Sequence, residues 1–268
     1  MSSSALALAL AAAFLHAGWN VLLARANDVQ AATAVVLGVS TIALAPIAAF
    51  TWDVDRGVVP WAVGSAAFEL AYFALLAYAY ERAAVSVVYP VARGLAPVLV
   101  LVVGIASASA GEAMGVVLVA LGIVLVRGLQ HPDRRGVGLG AIIAVCIAGY
   151  TILDDHGIEH ADAIAYFELV IGVPGLVYLA AIWRRRGRDA LRSELKPATF
   201  AAAAAATLAY LFVLLALDIG EAAPVAAVRE TSVVIVVALA AIFLHEPVGR
   251  GRLAGAALVA AGVALLSF

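Results

Sequence analysis

The chain has 268 residues, of which 65% are hydrophobic and 13% charged, with a mean hydropathy of +1.08 and a formal net charge of −2. A soluble domain of this length has nowhere to hide so much apolar surface, so the bilayer is its solvent. The lone cysteine, Cys146, makes no intrachain disulfide, and no basic excess marks a nucleic-acid partner.

Ten apolar runs follow one another, at about 3–24, 31–50, 60–80, 84–106, 112–127, 137–153, 163–183, 198–217, 222–243 and 253–267. Each is roughly long enough to cross a ~30 Å hydrocarbon core at ~1.5 Å per residue. Met1 to Ala13 has the apolar middle of a signal peptide but no basic stretch before it, since the first cation is Arg25. It reads as a retained first helix. Barrel-like alternation is absent, which leaves helices as the spanning solution.

The sequence repeats itself. Ala17 to Leu22 in span 1 resembles Ala148 to Leu153 in span 6, and Val91 to Gly94 in span 4 resembles Ala227 to Glu230 in span 9. Gly111, Gly115 and Gly122 recur as Gly251, Gly255 and Gly262. An odd number of spans per repeat forces the second repeat to enter the membrane inverted. The expected fold is therefore an all-α integral membrane protein of ten transmembrane helices, built as two inverted five-helix repeats over residues 1–130 and 131–268. Charge agrees: loops after odd-numbered spans hold 13 of the 16 Lys and Arg residues, and loops after even-numbered spans hold only Arg56. The positive-inside rule makes the odd loops cytoplasmic and puts both termini outside. The arginines at 184–192 read as a topology signal that also favours anionic membrane lipids.

Polar residues interrupt the spans. Arg93 and Arg229 lie deep in spans 4 and 9, where an intramembrane arginine costs ~2.5 to over 10 kcal/mol and marks function by default. Span 1 places His16, Trp19 and Asn20 on one helical face; span 3 adds Glu69 and Tyr72; span 4 adds Tyr89 beside Arg93. Span 6 supplies Tyr150, Thr151 and Asp154, span 7 Glu168, span 8 Tyr210, and span 9 Glu230 beside Arg229. These residues predict a water-accessible cavity lined by spans 1, 3, 4, 6, 8 and 9. The competing reading is structural pairing of Arg93 with Glu69, and of Arg229 with Glu230 or Glu168. Two arginines against Glu69, Glu168 and Glu230 leave one acid short of a partner. Such a carboxyl in low dielectric favours its neutral form and can carry a coupling proton. The glycine motifs at 111/115 and 251/255 read as close helix packing, with a homodimer face as the alternative. No metal-ligand spacing, cofactor-binding loop or nucleophile constellation appears, so an enzyme is not expected.

The order of these blocks resembles the drug/metabolite transporter superfamily, in its EamA-domain branch. The residues that carry it are His16 to Asn20, Ala84 to Pro97 with Gly111-Glu112, and Pro224 to Glu230 with Leu244 to Pro247, leading to Gly255 and Gly262. The likeness covers essentially the whole chain. Two features depart from it: Val233 stands where a proline would match Pro97, and the charge count puts the termini outside rather than in the cytoplasm. The resemblance implies a secondary transporter of small organic metabolites in a bacterial-type plasma or inner membrane, with alternating access around a central site and no cofactor. His16, Trp19, Asn20, Glu69, Tyr72, Tyr89, Arg93, Tyr150, Thr151, Tyr210, Arg229 and Glu230 are the expected substrate-binding residues. Of the two cations, Arg93 is the expected ligand contact, because Glu230 adjoins Arg229 in sequence. A non-transporting membrane protein, a lipid-binding or assembly subunit with structural ion pairs, is the alternative.

Overall fold

The computed structural model describes residues 1–23, 26–83, 85–104, 108–127, 134–232, 234–235 and 249–266. Val233 and Leu244 to Pro247 lie outside the described residues, as do the side chains of Asn20, Tyr89 and Pro90. Among the described residues the secondary structure is helical: α1 Ser3–Leu23, α2 Val29–Thr51, α3 Val58–Arg82, α4 Val85–Val103, α5 Ala110–Arg127 and α6 Arg134–Gly157. These are followed by α7 Ala163–Phe167, α8 Val173–Ser193, α9 Pro197–Asp218, α10 Ala222–Arg229 and α11 Arg250–Leu266. Six described stretches are long and apolar enough to cross a membrane, among them Val29–Thr51, Arg134–His160 and Pro197–Asp218; Val91–Val103, Ala110–Leu125 and Leu253–Leu266 are shorter apolar helices. The chain is a multi-pass integral membrane protein. Helices suit it because each satisfies its own backbone hydrogen bonds where water is absent.

Local chemistry sets the helix ends. Asp28 caps α2 by accepting from the Ala31 amide at 3.0 Å, and Asp162 caps α7 through the Ile164 and Ala165 amides at 2.9 and 3.2 Å. The acidic turn before α5 is a capping box. Glu112 accepts from the Ser109 amide at 2.7 Å, and Ser109 accepts from the Glu112 amide at 3.2 Å. The seventh run differs from a plain span. A π-helical turn, Glu168–Gly172, joins α7 to α8, and the helix continues past Trp183 through the arginine cluster to Ser193. It breaks there only at Gly187, whose φ of 81° suits glycine alone.

The two ends of the molecule are chemically distinct. At the arginine-rich end, Arg186 bridges Asp28 at 2.9 Å, and buried Glu194 accepts from Lys196 and the Asp28 amide, each at 3.2 Å. At the acidic end, the Asp55 amide donates to the His160 carbonyl at 2.8 Å and the Asp162 amide to that of Asp53 at 3.0 Å.

Packing sorts the long helices into two groups. In one, α1 lies along α9, and α2 along α8 and α9; in the other, α3 and α4 both lie along α6. Small residues allow the second set of close approaches: a Cβ at Gly149 would stand 2.9 Å from the Phe68 ring, and one at Gly140 would stand 2.8 Å from the Val88 carbonyl oxygen. Beside these groups α5 crosses α11, while α10 touches both α1 and α4. At the α5–α11 crossing a Cβ on Gly122 would lie 2.6 Å from the Gly255 carbonyl oxygen, and one on Gly262 would lie 2.6 Å from that of Gly115. Gly115, Gly122, Gly255 and Gly262 thus meet inside the chain at this crossing.

Candidate functional site: a central cavity between the helix groups

A cavity of about 100 Å³ lies where the two helix groups meet. Its polar wall is formed by His16 and Trp19 of α1, Glu69 and Tyr72 of α3, Arg93 of α4, Tyr150 of α6, Tyr210 of α9 and Arg229 of α10. Apolar patches come from Val36, Leu37, Phe73, Phe167, Ile171 and Val213. It therefore draws on α2 and the α7–α8 turn as well as on the six spans expected from sequence. The cavity reaches Thr33, near the start of α2 at the arginine-rich end. Ser40 and Thr207 also line it, joined by a 2.8 Å hydrogen bond from Thr207 to Ser40. Sequence reading passed over these three, because a lone Ser or Thr in a helix usually donates back to its own backbone. Ser40 does so too, to the Val36 carbonyl at 2.8 Å.

Of the pairings weighed from sequence, Arg229 with Glu230 is present, but Glu230 pairs more closely with Arg93. Arg93 donates through Nη1 to both oxygens of Glu230, at 2.9 and 3.3 Å, and its Nη2 lies 3.0 Å from His16 Nε2. Glu69 is not its ion-pair partner. The reason is helix packing: α10 runs against α4 and ends at Arg229, so Glu230 turns across to the neighbouring helix rather than along its own. Arg229 reaches the same carboxylate only at 3.5 Å, and its Nε has no hydrogen-bond partner among the described residues. Its guanidinium also faces the Tyr150 ring, 5.8 Å from the centroid. Two guanidinium groups thus share one carboxylate, with Arg93 holding the better geometry.

The helix break that creates this arrangement is local. The Thr231 hydroxyl donates to the Val228 carbonyl at 2.7 Å, satisfying backbone freed where α10 stops. Broken helices at membrane depth are tolerated where they are buried in protein or line a cavity.

Three expected site residues stand outside the cavity wall. Glu230 is fully buried behind it, engaged with the arginines. Thr151 donates to the Ile147 carbonyl of its own helix at 2.7 Å. Glu168 sits in the π-helical turn, where a Cβ on Gly172 would meet its Oε2 at 2.7 Å, and its Oε1 has no hydrogen-bond partner among the described residues. At the cavity floor His16 accepts from the Trp19 indole at 3.1 Å, which fixes both rings.

Beyond Tyr210, toward the acidic end, lies a group that sequence reading noted without assigning to the site. Asp154 is 1% exposed and accepts from Ser65, Tyr166 and Tyr210 at 2.5, 3.1 and 2.6 Å. Gly157 makes room for this, since a Cβ there would collide with the Tyr166 hydroxyl.

A bundle of apolar helices split into two groups, with a cavity of buried charge between them, is the architecture of a multi-pass integral membrane protein. Residues 134–268 match the model of the EamA-like transporter family, and the chain belongs to that family. Its fold is similar to that of a solved crystal structure described only as a protein, with a TM-score of 0.81 and 14% identity, covering 100% of this chain and 99% of that one. No curated protein matches the sequence.

Proposed function

We propose that the protein is a secondary active transporter that carries small organic solutes by alternating access, binding an anionic group of the solute at Arg229. The observation that carries this reading is the incompletely paired Arg229 guanidinium in the wall of a cavity between two helix groups. A buried cation short of acceptors is an electrostatic host for a carboxylate or phosphate, and arginine's planar fork suits both. The small cavity favours compact solutes. Tyr72, Tyr150 and Trp19 supply flat apolar surface, and Ser40 and Thr207 add hydroxyls to the lining.

The inverted-repeat reading is supported by reciprocal contacts. If Gly115 corresponds to Gly255 and Gly122 to Gly262, the pairs that meet are 115 with 262 and 122 with 255. Exchanging the repeats leaves that set unchanged, which is the signature of a two-fold relation. The same exchange maps α1 on α9 to α6 on α3, and α4 on α6 to α10 on α1; both of these contacts exist. Two groups related in this way can rock about the central site. Proton coupling belongs to the same reading, with the buried carboxyl of Glu69 in the cavity wall as the group that meets the solute. The arginine-rich end is then cytoplasmic.

The test starts with a thermal-shift panel of small carboxylates, phosphates, amines and uncharged solutes on purified protein, because a true ligand raises the melting point with occupancy. The best anionic hit is then followed as counterflow uptake in proteoliposomes. Arg229→Gln is expected to abolish both signals while leaving the unliganded melting point close to wild type. Undiminished uptake by that variant would refute the anion contact.

A further inference from the structure

The acidic side of the cavity carries a set of hydrogen bonds between the helix groups. Ser65 on α3 and Asp154 on α6 belong to one helix group, whereas Tyr166 on α7 and Tyr210 on α9 belong to the other. The Tyr166 and Tyr210 hydrogen bonds to Asp154 therefore cross between the groups, at the acidic end of the cavity. Ser65, Asp154 and Tyr166 are each at most 1% exposed. The cavity reaches Thr33 toward the other end, and these bonds lie on its acidic side.

We propose that Asp154 is the latch of the cavity's acidic end, and that a proton taken up by its carboxyl releases it. The inference rests on the alternating-access reading. Its chemistry follows from counting donors. As a carboxylate, Asp154 only accepts, so three hydroxyl hydrogens can converge on its two oxygens. A proton on Oδ2 makes that oxygen a donor, and it then faces the Tyr210 hydroxyl at 2.6 Å with two hydrogens between two oxygens. The Tyr210 hydrogen must turn away, and the bond reverses, with protonated Oδ2 donating to the Tyr210 oxygen. The hydroxyls then face a neutral carboxyl instead of a carboxylate, so the charge-assisted bonds that cross between the groups weaken to ordinary ones, and the proton stays on Asp154.

Tyr210 also links the latch to the cavity. It lines the cavity wall, as Glu69 does. A hydroxyl has one hydrogen; while Tyr210 gives it to Asp154, Glu69 can bind Tyr210 only as a donor, carrying a proton itself. When Asp154 is protonated the hydroxyl is free to turn to Glu69. The titratable groups facing Asp154 are Glu69 on α3, Asp155 on α6, Tyr166 on α7, Tyr210 on α9 and the Arg229 cation on α10. Of these only Tyr166 and Tyr210 donate to it from the other group, so the latch is assigned to the bonds and not to the general field.

The experiment measures spin-label distances between His156→Cys on α6 and Asp218→Cys on α9, both exposed at the acidic end, in a Cys146→Ala background in nanodiscs. Wild type is expected to show one short distance at pH 8 and a growing longer population at pH 5.5. Asp154→Asn keeps the shape but cannot accept from all three hydroxyls, so it should show the longer population at both pH values. Tyr210→Phe, which removes one donor alone, should do so in part at pH 8. A short distance that survives in both variants overturns the latch. So does an acid response in Asp154→Asn equal to that of wild type. If the distances shift as expected but no solute is transported, the latch stands and the transport reading fails, which keeps the two separable.

Discussion

Removing Arg93 is expected to cost stability, and removing Arg229 is expected to cost function. Arg93 sits 2.9 Å from Glu230, with side-chain exposures of 6% and 0%. Charges ~4 Å apart interact by about 4 kcal/mol at an effective dielectric near 20. Stripping one member from a buried pair costs about 3–5 kcal/mol, because the other charge is left uncompensated. Arg229 remains 3.5 Å from the same carboxylate and offsets part of this, so the lower half of that range is expected for Arg93→Gln. Arg229→Gln leaves the closer pair intact and should lose under about 1 kcal/mol on the same logic. Equilibrium unfolding in mild detergent with graded SDS gives both values, and the uptake assay gives the second axis. The double replacement Arg93→Leu with Glu230→Leu should not recover the stability lost by Arg93→Leu alone, since Arg229 is then left as a buried cation without Glu230. Equal destabilisation by the two single Gln variants would refute the division of labour. Full transport by the double-Leu protein would make the Arg93–Glu230 pair scaffolding, with recognition left to Arg229.

Two further outcomes follow from packing and charge. Gly122→Leu drives a side chain into the Gly255 backbone, which cannot rotate away, so a loss of about 1–3 kcal/mol in the same unfolding assay is expected, with no change in ligand affinity per folded molecule; wild-type stability would contradict the α5–α11 crossing. A cysteine replacing Arg188, in the Cys146→Ala background, should react with an impermeant maleimide only from the cytoplasmic side of oriented vesicles, because the arginine-rich end follows the positive-inside rule; labelling from outside would invert the assignment of the two ends.

Much of the fold was legible because lipid imposes few options. Apolar runs at 31–50, 137–153 and 198–217 appear as α2, α6 and α9, each lengthened by a few residues at its ends. Those extensions come from caps such as Asp28 and from Pro197, which begins α9; hydropathy alone does not register them. The seventh run was legible in position but not in form. Nothing in the periodicity of Glu168–Gly172 announces a π-helical turn, which depends on how α2 packs beside it. Most of the cavity wall could be found from polar residues at intramembrane positions: His16, Trp19, Glu69, Tyr72, Arg93, Tyr150, Tyr210 and Arg229 converge there.

What sequence could not give is who faces whom across helices, and that decides chemistry. Adjacency made Glu230 look like the property of Arg229, leaving Arg93 open to a ligand. In a helix, however, consecutive residues point about 100° apart. A short acid beside a long base therefore meets a neighbouring helix more readily than its sequence neighbour. Because α10 lies on α4, Glu230 goes to Arg93, and Arg229 is left as the cation with unfilled donor capacity. The same geometry lifts Asp154 from a span-end acid, unremarkable in sequence among Asp155 and Glu159, to the acceptor of three hydroxyls drawn from three other helices. Both reassignments have one physical source. In low dielectric every buried donor and acceptor must be matched, and the matching is settled by which helices touch. The unmatched remainder among the described residues includes the buried Nε of Arg229, a residue of the cavity wall.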